Sequence, residues 1–269
     1  MIETHYHLDK LPPESRDSLL ASWFAQGLEA IVAPAMDRDS LDQVLEIAQS
    51  APGKVFPAAG LHPERNWQGE QGKAALRQAE ALCRWIEQNR DTIWAIGEIG
   101  LPWYSLEGGE APKAAFQALE LFLETARRTD LPLILHAVHD MARPCLERLQ
   151  AYGVKRAVFH WLKAPDFVAQ AIAEAGYYAS LTPEYICFER DQRLAGFFSI
   201  DRLLLETDGP EPLRIGKEGV PSPLWSRMTA AALVRRFGKS PLEIERQMDE
   251  NARCFLARRL EGQTTGLDR

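Results

Sequence analysis

A single (β/α)8 TIM barrel of the α/β class, with an extra C-terminal helix, is the fold this sequence predicts, on three observations. Short apolar runs that read as strands recur eight times within about 210 residues, each followed by a helical pattern, an alternation that calls for parallel strands joined by crossovers. A length of 269 residues suits one such barrel, a fold that needs about 250. Most of the histidines, and two acids, fall at the predicted C-terminal ends of strands, the end at which barrels of this kind gather chemistry.

The elements follow in order. "MIETH" (1–5) reads as the first strand and "RDSLLASWFAQG" (16–27) as a helix stopped by glycine. "EAIVAPA" (29–35) is the second strand, before the helix "DSLDQVLEIAQS" (39–50). "VFPAAGLHP" (55–63) is the third and precedes a long helix over 73–88; "WAIGEIG" (94–100) is the fourth, with a helix over 112–128. "PLILH" (132–136), with a helix near 141–151, is the fifth. "RAVFH" (156–160), "GYYASL" (176–181) and "RLLLETD" (202–208) complete the eight, with helices between them. "SPLEIERQMDENARCFLARRL" (240–260) is the extra helix; its "SPLE" has the form of a capping box with proline at the first helical position. The domain is expected to span 1–260, with 261–269 a frayed tail.

Composition narrows the function classes. Hydrophobic residues at 46% and charged residues at 26% give an ordinary globular balance, which excludes disorder. A net charge of −7 does not favour a broad basic surface for nucleic acid, so a phosphate-bearing substrate has to be held locally. The four cysteines, Cys83, Cys145, Cys187 and Cys254, are widely spaced, as expected of reduced thiols in a cytoplasmic protein. With no basic-then-apolar leader and no long apolar run, export or membrane insertion is not expected.

His5 and His7 end the first predicted strand, where a period of two points both rings to one face. His62 ends the third, Glu98 the fourth, His136 the fifth, His160 the sixth and Asp208 the eighth, and all should converge on one mouth. Each has a bland alternative as a core histidine or a turn-forming acid, but chance does not readily put all of them at equivalent strand ends. Imidazoles and carboxylates without cysteine suit Zn²⁺, Mn²⁺ or a similar ion in an open site. His5, His7 and Asp208 can take one ion and His136 with His160 a second, with Glu98 between them, a pairing suited to metal-assisted hydrolysis.

"THYHLD", "GLHP", "AIGEIGL", "LPLILH", "VFH" and "LLLETDGP", with "NARCF" near the end, resemble in order the motifs of the TatD family of metal-dependent hydrolases in the amidohydrolase superfamily. The resemblance runs from residue 4 to about 255. It implies a site for two, in some members three, divalent ions (Mg, Mn or Zn), with His5, His7, Glu98, His136, His160 and Asp208 as ligands. Asp208 would take the proton of the attacking water and His62 would contact the scissile phosphate. It implies hydrolase activity, in several members a deoxyribonuclease acting from 3′ ends, with single-stranded or frayed DNA ends as partner. Glu206 is a candidate support for the ligands, and Asp9 is expected to orient the loop.

Three motifs depart from that pattern beside the ligands. Pro102 replaces an acid after "GEIGL", Val138 stands where many members carry an arginine, and "HWLKA" replaces "HCFSG". His139, Lys163 and Arg143 are the cations placed to compensate. Trp67, Trp103, Tyr104 and Trp161 follow strand ends and should ring the mouth, to stack on bases, to form an apolar pocket or simply to pack. A hydrolase of a small amide, lactone or phosphoester is the second reading, and an inactive metal-binding interaction module the third.

Overall fold

Eight parallel strands make one sheet in sequence order: β1 (Ile2–Glu3), β2 (Ala30–Pro34), β3 (Val55–Ala59), β4 (Ala95–Gly100), β5 (Leu133–His136), β6 (Ala157–Phe159), β7 (Tyr178–Leu181) and β8 (Leu203–Leu205). This computed structural model describes residues 1–106 and 109–256; the end of the expected last helix, 257–260, and the expected frayed tail, 261–269, lie outside the described residues. β1 and β8 meet just beyond their ends. Thr4 N–H donates to Leu205 O, Asp208 N–H to His5 O and His7 N–H to Gly209 O, at 3.2, 3.1 and 2.7 Å. That seam closes the barrel and sets the first and last motifs side by side.

Around the sheet run α1 (Pro13–Ala25), α2 (Arg38–Ser50), α3 (Gly69–Gln88), α4 (Lys113–Thr129), α5 (Ala142–Ala151), α6 (Asp166–Glu174), α7 (Glu189–Ala195) and α8 (Ser226–Phe237). Their apolar positions recur at helical spacing, as Leu41, Val44 and Ile47 do in α2, and face the sheet. Asp37 caps α2 by accepting the Ser40 N–H at 3.0 Å. Strands buried on both faces divide their side chains by the period of two. Leu133, Leu135, Phe159, Leu203 and Leu205 pack under the helices, whereas Ile2, Val32, Ala58, Ile134, Val158 and Leu204 fill the barrel.

The extra helix, α9 (Pro241–Leu256), brings Ala252, Phe255 and Leu256 into the cluster that fills the barrel, with Phe255 edge-on to Tyr178 at 5.6 Å. Its start is the expected capping box: Ser240 N–H donates to Glu243 Oε2 at 2.8 Å and Glu243 N–H to Ser240 Oγ at 3.3 Å, with Pro241 first in the helix. Asn251 of "NARCF" donates to Ile200 O and Leu203 O, tying α9 to β8. No helix among the described residues is long and apolar enough to cross a membrane.

Several strands stop earlier than the sequence suggests. β1 ends at Glu3, β3 at Ala59 and β8 at Leu205, so His5, His7, His62 and Asp208 sit on the turns that follow rather than on strand ends. The cause at β1 is a side chain that takes over the ladder. The buried Glu3 carboxylate accepts His5 N–H at 3.1 Å and Thr207 N–H at 3.0 Å, leaving the backbone free to turn. Asp208 itself has φ +53, a left-handed conformation that aspartate tolerates better than most residues. After it comes Gly209, where a Cβ would lie 2.2 Å from the Tyr6 ring.

Candidate metal centre

The mouth is organised around Glu98, which is 1% exposed at the floor of a cavity of about 450 Å³. Its two oxygens face two groups. Oε2 lies 3.2 Å from His5 Nε2 and 3.4 Å from His7 Nε2. Oε1 lies 2.8 Å from His160 Nε2, 2.9 Å from His136 Nδ1 and 3.3 Å from His62 Nε2. Asp208 Oδ1 completes the first group, 3.5 Å from His5 and 3.6 Å from His7. Three triads have ligand atoms within 4.8 Å of one another: His5, His7 and Glu98; His5, His160 and Asp208; His62, Glu98 and His136.

Apart from the His136 Nδ1–Glu98 Oε1 hydrogen bond, the contacts to Glu98 are close but poorly directed for hydrogen bonding. Glu98 Oε2 and both nitrogens of His160 are buried without a hydrogen-bond partner. Buried nitrogen and oxygen atoms that converge without hydrogen-bond partners fit a divalent cation, and a donor set without sulfur suits Zn²⁺ or Mn²⁺.

The charges reinforce one another. Burial alone would raise the Glu98 carboxyl, but His160, His62 and His5 and the His136 hydrogen bond hold it well below the usual carboxylate range. Burial opposes a charge on His160, yet Glu98 and Glu206 lift it well above the usual imidazole value. In His5 burial prevails and, with His160 beside it, lowers the ring. Beneath the group, burial pushes the Glu3 carboxyl well up, while Glu206 accepts Trp161 N–H at 2.6 Å and lies 3.5 Å from His160 Nδ1.

All six expected ligands and His62 therefore meet in one place, but His62 joins the Glu98–His136 side and His160 reaches across to His5, on which its ring stacks at 4.1 Å. Trp161 and Lys163 line the cavity; His139 and Trp103 are not among its lining residues and instead pack on each other at 4.1 Å. Trp67 departs from the expected rim. It is 4% exposed and donates to Pro63 O, because it packs into the core between β3 and α3. Tyr6 is fully buried against Trp23, Asp9 accepts from Ser40, and Arg143 pairs with Glu147 on the surface. Val138 lines the cavity as an apolar wall.

Sequence reasoning missed Glu64 and gave no weight to Glu3. Glu64 lies two residues past His62 and collects the N–H groups of Trp103, Tyr104 and Ser105 together with a contact to His136. The signal available for Glu3 was its alternation with His5 and His7, which puts three ionisable side chains on one strand period.

Comparison with known proteins identifies the family and agrees with the fold. The family model described as TatD related DNase matches residues 2–257. A metal-dependent hydrolase of Haemophilus influenzae is 36% identical over 214 residues, which cover 78% of this chain and 81% of the relative. A 3′-5′ ssDNA/RNA exonuclease of Salmonella typhimurium is 25% identical, covering 90% and 93% of the two chains. Among solved structures, the TatD homologue YjjV of Escherichia coli K12 superposes with a TM-score of 0.76 at 26% identity, covering 95% of this chain and 97% of its own.

Proposed function

This chain belongs to the TatD related DNase family and is a metal-dependent hydrolase, and on that premise we propose that it is a deoxyribonuclease that shortens single-stranded or frayed DNA from the 3′ end. The observation that carries the reading is the pair of histidine groups gathered on the two oxygens of Glu98. We take the domain to be residues 1–260 and, from the cysteine spacing, its compartment to be the cytoplasm.

In this reading His5, His7 and Asp208 with Glu98 would hold one divalent ion, and His136 and His160 with Glu98 would hold a second. Such ions, when bound, supply Lewis acidity and bring the ionisation of an attacking water near neutrality. Asp208, held beside the first group by its N–H bond to His5 O, takes the proton of that water. His62 presents Nε2 to a non-bridging phosphate oxygen. Glu98 stays ionised throughout because of the histidines around it.

Lys163 supplies local positive charge at the cavity, where the other lining lysine, Lys10, is paired with Glu211. Its ammonium lies 3.6 Å over the Trp161 ring and donates to Tyr104 Oη at 3.4 Å, and no described carboxylate pairs with it. Its backbone carbonyl accepts His139 N–H, which places it beside Val138, so the cation moves from one loop to the next. Burial and neighbouring Arg190 lower its pKa, the cost of keeping a cation there for an anionic substrate. Lys163→Ala is expected to raise KM for DNA about 10-fold with a smaller change in kcat, as loss of a substrate contact requires.

The decisive assay incubates the purified protein with Mg²⁺, Mn²⁺ or Zn²⁺ and end-labelled single-stranded DNA. Stepwise shortening from the 3′ end is expected. Turnover of small amides, lactones or phosphoesters without DNA cleavage would replace the nuclease reading, and stoichiometric metal binding without any turnover would leave an interaction module.

A further inference from the structure

We propose that Glu64 sorts the two neighbouring imidazoles of the mouth into opposite roles, making His136 a ligand through Nδ1 and His62 a hydrogen-bond donor through Nε2. The inference rests on the metal-centre reading above and assigns work to a residue outside its ligand set.

The carboxylate does the first half. Glu64 Oε1 lies 3.1 Å from His136 Nε2, while Nδ1 of the same ring lies 2.9 Å from Glu98 Oε1. A neutral imidazole carries one ring proton. With that proton on Nε2, donated to Glu64, the Nδ1 lone pair is directed at the Glu98 group; the other tautomer would put a proton where a cation has to be. A carboxylate that accepts from the far nitrogen of a ligating histidine fixes ring and tautomer together.

The backbone of the same residue does the second half. Glu64 N–H donates to His62 Nδ1 at 3.2 Å, so the lone pair of that nitrogen is already used and the neutral ring holds its proton on Nε2. Nε2 is the atom that faces Glu98 Oε1 at 3.3 Å. His62 is thereby a donor, suited to a phosphate oxygen, although its position within a potential metal triad would also allow a ligand.

Glu64 is itself fixed from a third direction. Its oxygens accept the successive N–H groups of Trp103, Tyr104 and Ser105 at 2.7, 3.0 and 2.7 Å, so the loop after β4 holds the carboxylate against His136. That loop carries Pro102 where the family motif has an acid, and its carboxylate comes instead from the neighbouring β3 loop. Glu64 is a positioning residue: it touches the ligand and the donor, not the reacting atoms.

The test uses full-length protein labelled with ¹⁵N at histidine and loaded with Zn²⁺. Long-range ¹H–¹⁵N spectra are expected to show Nε2-protonated His62 and His136, with a metal-shifted Nδ1 on His136. In Glu64→Gln the His136 Nε2 proton is expected to lose its hydrogen-bonded shift and one Zn²⁺ to bind about 10- to 100-fold more weakly, while the His62 tautomer stays. An Nδ1-protonated His136 or His62 in the wild type overturns the proposal, as does a variant with unchanged His136 signals and Zn²⁺ affinity. If Glu64→Gln fails to fold, the wild-type tautomers decide alone. If the wild type takes up no Zn²⁺, the metal-centre reading fails, and the tautomers of the unloaded rings at alkaline pH decide the sorting separately.

Discussion

Asp208→Asn is expected to lower kcat on end-labelled single-stranded DNA by about 1,000-fold or more, while circular dichroism shows an unchanged fold. Asparagine keeps the size of the side chain, tolerates the positive φ of this position and retains the N–H bond to His5 O. What disappears is the carboxylate that stands 3.5 and 3.6 Å from His5 and His7, and with it both a proton acceptor and a charged neighbour of the first group. General-base catalysis alone contributes about 100- to 10,000-fold. Activity within 10-fold of wild type would remove Asp208 from the chemistry and with it the proposed division of labour.

Glu98→Gln is expected to act more broadly, because one carboxylate serves both groups. Metal stoichiometry in equilibrium dialysis should fall, and kcat/KM should drop by at least about 1,000-fold, since the variant removes an anion shared by five imidazoles. The chelated protein offers a second reading of the same change. The His160 pKa is raised on folding, so its contribution to stability is fully present below the unfolded imidazole value near 6.5 and is lost as pH rises through the folded value. Glu98 is depressed, so its contribution is present above the unfolded carboxyl value near 4.5 and is lost as pH falls through the folded value. Together they make the chelated wild type most strongly supported between about pH 4.5 and 6.5. Removing one partner of a buried pair costs about 3 to 5 kcal/mol, so chelated Glu98→Gln should lose Tm most in that window. A uniform loss across pH would mean that Glu98 acts by packing alone.

The barrel and the convergence of the ligands were legible because a βα repeat turns position in the sequence into position in space. Whatever lies at the C-terminal end of each strand reaches the same mouth, so His5, His62, Glu98, His136, His160 and Asp208 could be grouped without knowing any distance. The partition within the group was not legible. Sequence order suggests His136 with His160, and both do meet Glu98 Oε1, but it does not announce that His62 reaches the same oxygen or that the ring of His160 stacks on His5. Such pairings depend on rotamers and on where each strand stops, and β1 stops early because of Glu3, a residue whose acceptors matter more than its strand propensity. Glu64 escaped notice for a related reason: its partners are backbone N–H groups about 40 residues away, which no side-chain pattern announces. Trp67 could not be separated from Trp161 by sequence, since both follow strand ends; only the Pro63 carbonyl and the adjacent core decide that one is buried.

The seam between β1 and β8 joins residue 5 to residue 208, and the same few hydrogen bonds that close the barrel bring Asp208 to His5 and His7. During synthesis the first histidine pair leaves the ribosome long before its aspartate exists. With Asp208 in its proposed role, a growing chain carries the parts of a hydrolase without the means to cleave, and competence arrives at one late moment, when the eighth strand finds the first. For a metal-dependent hydrolase, the order of assembly is itself a safety catch.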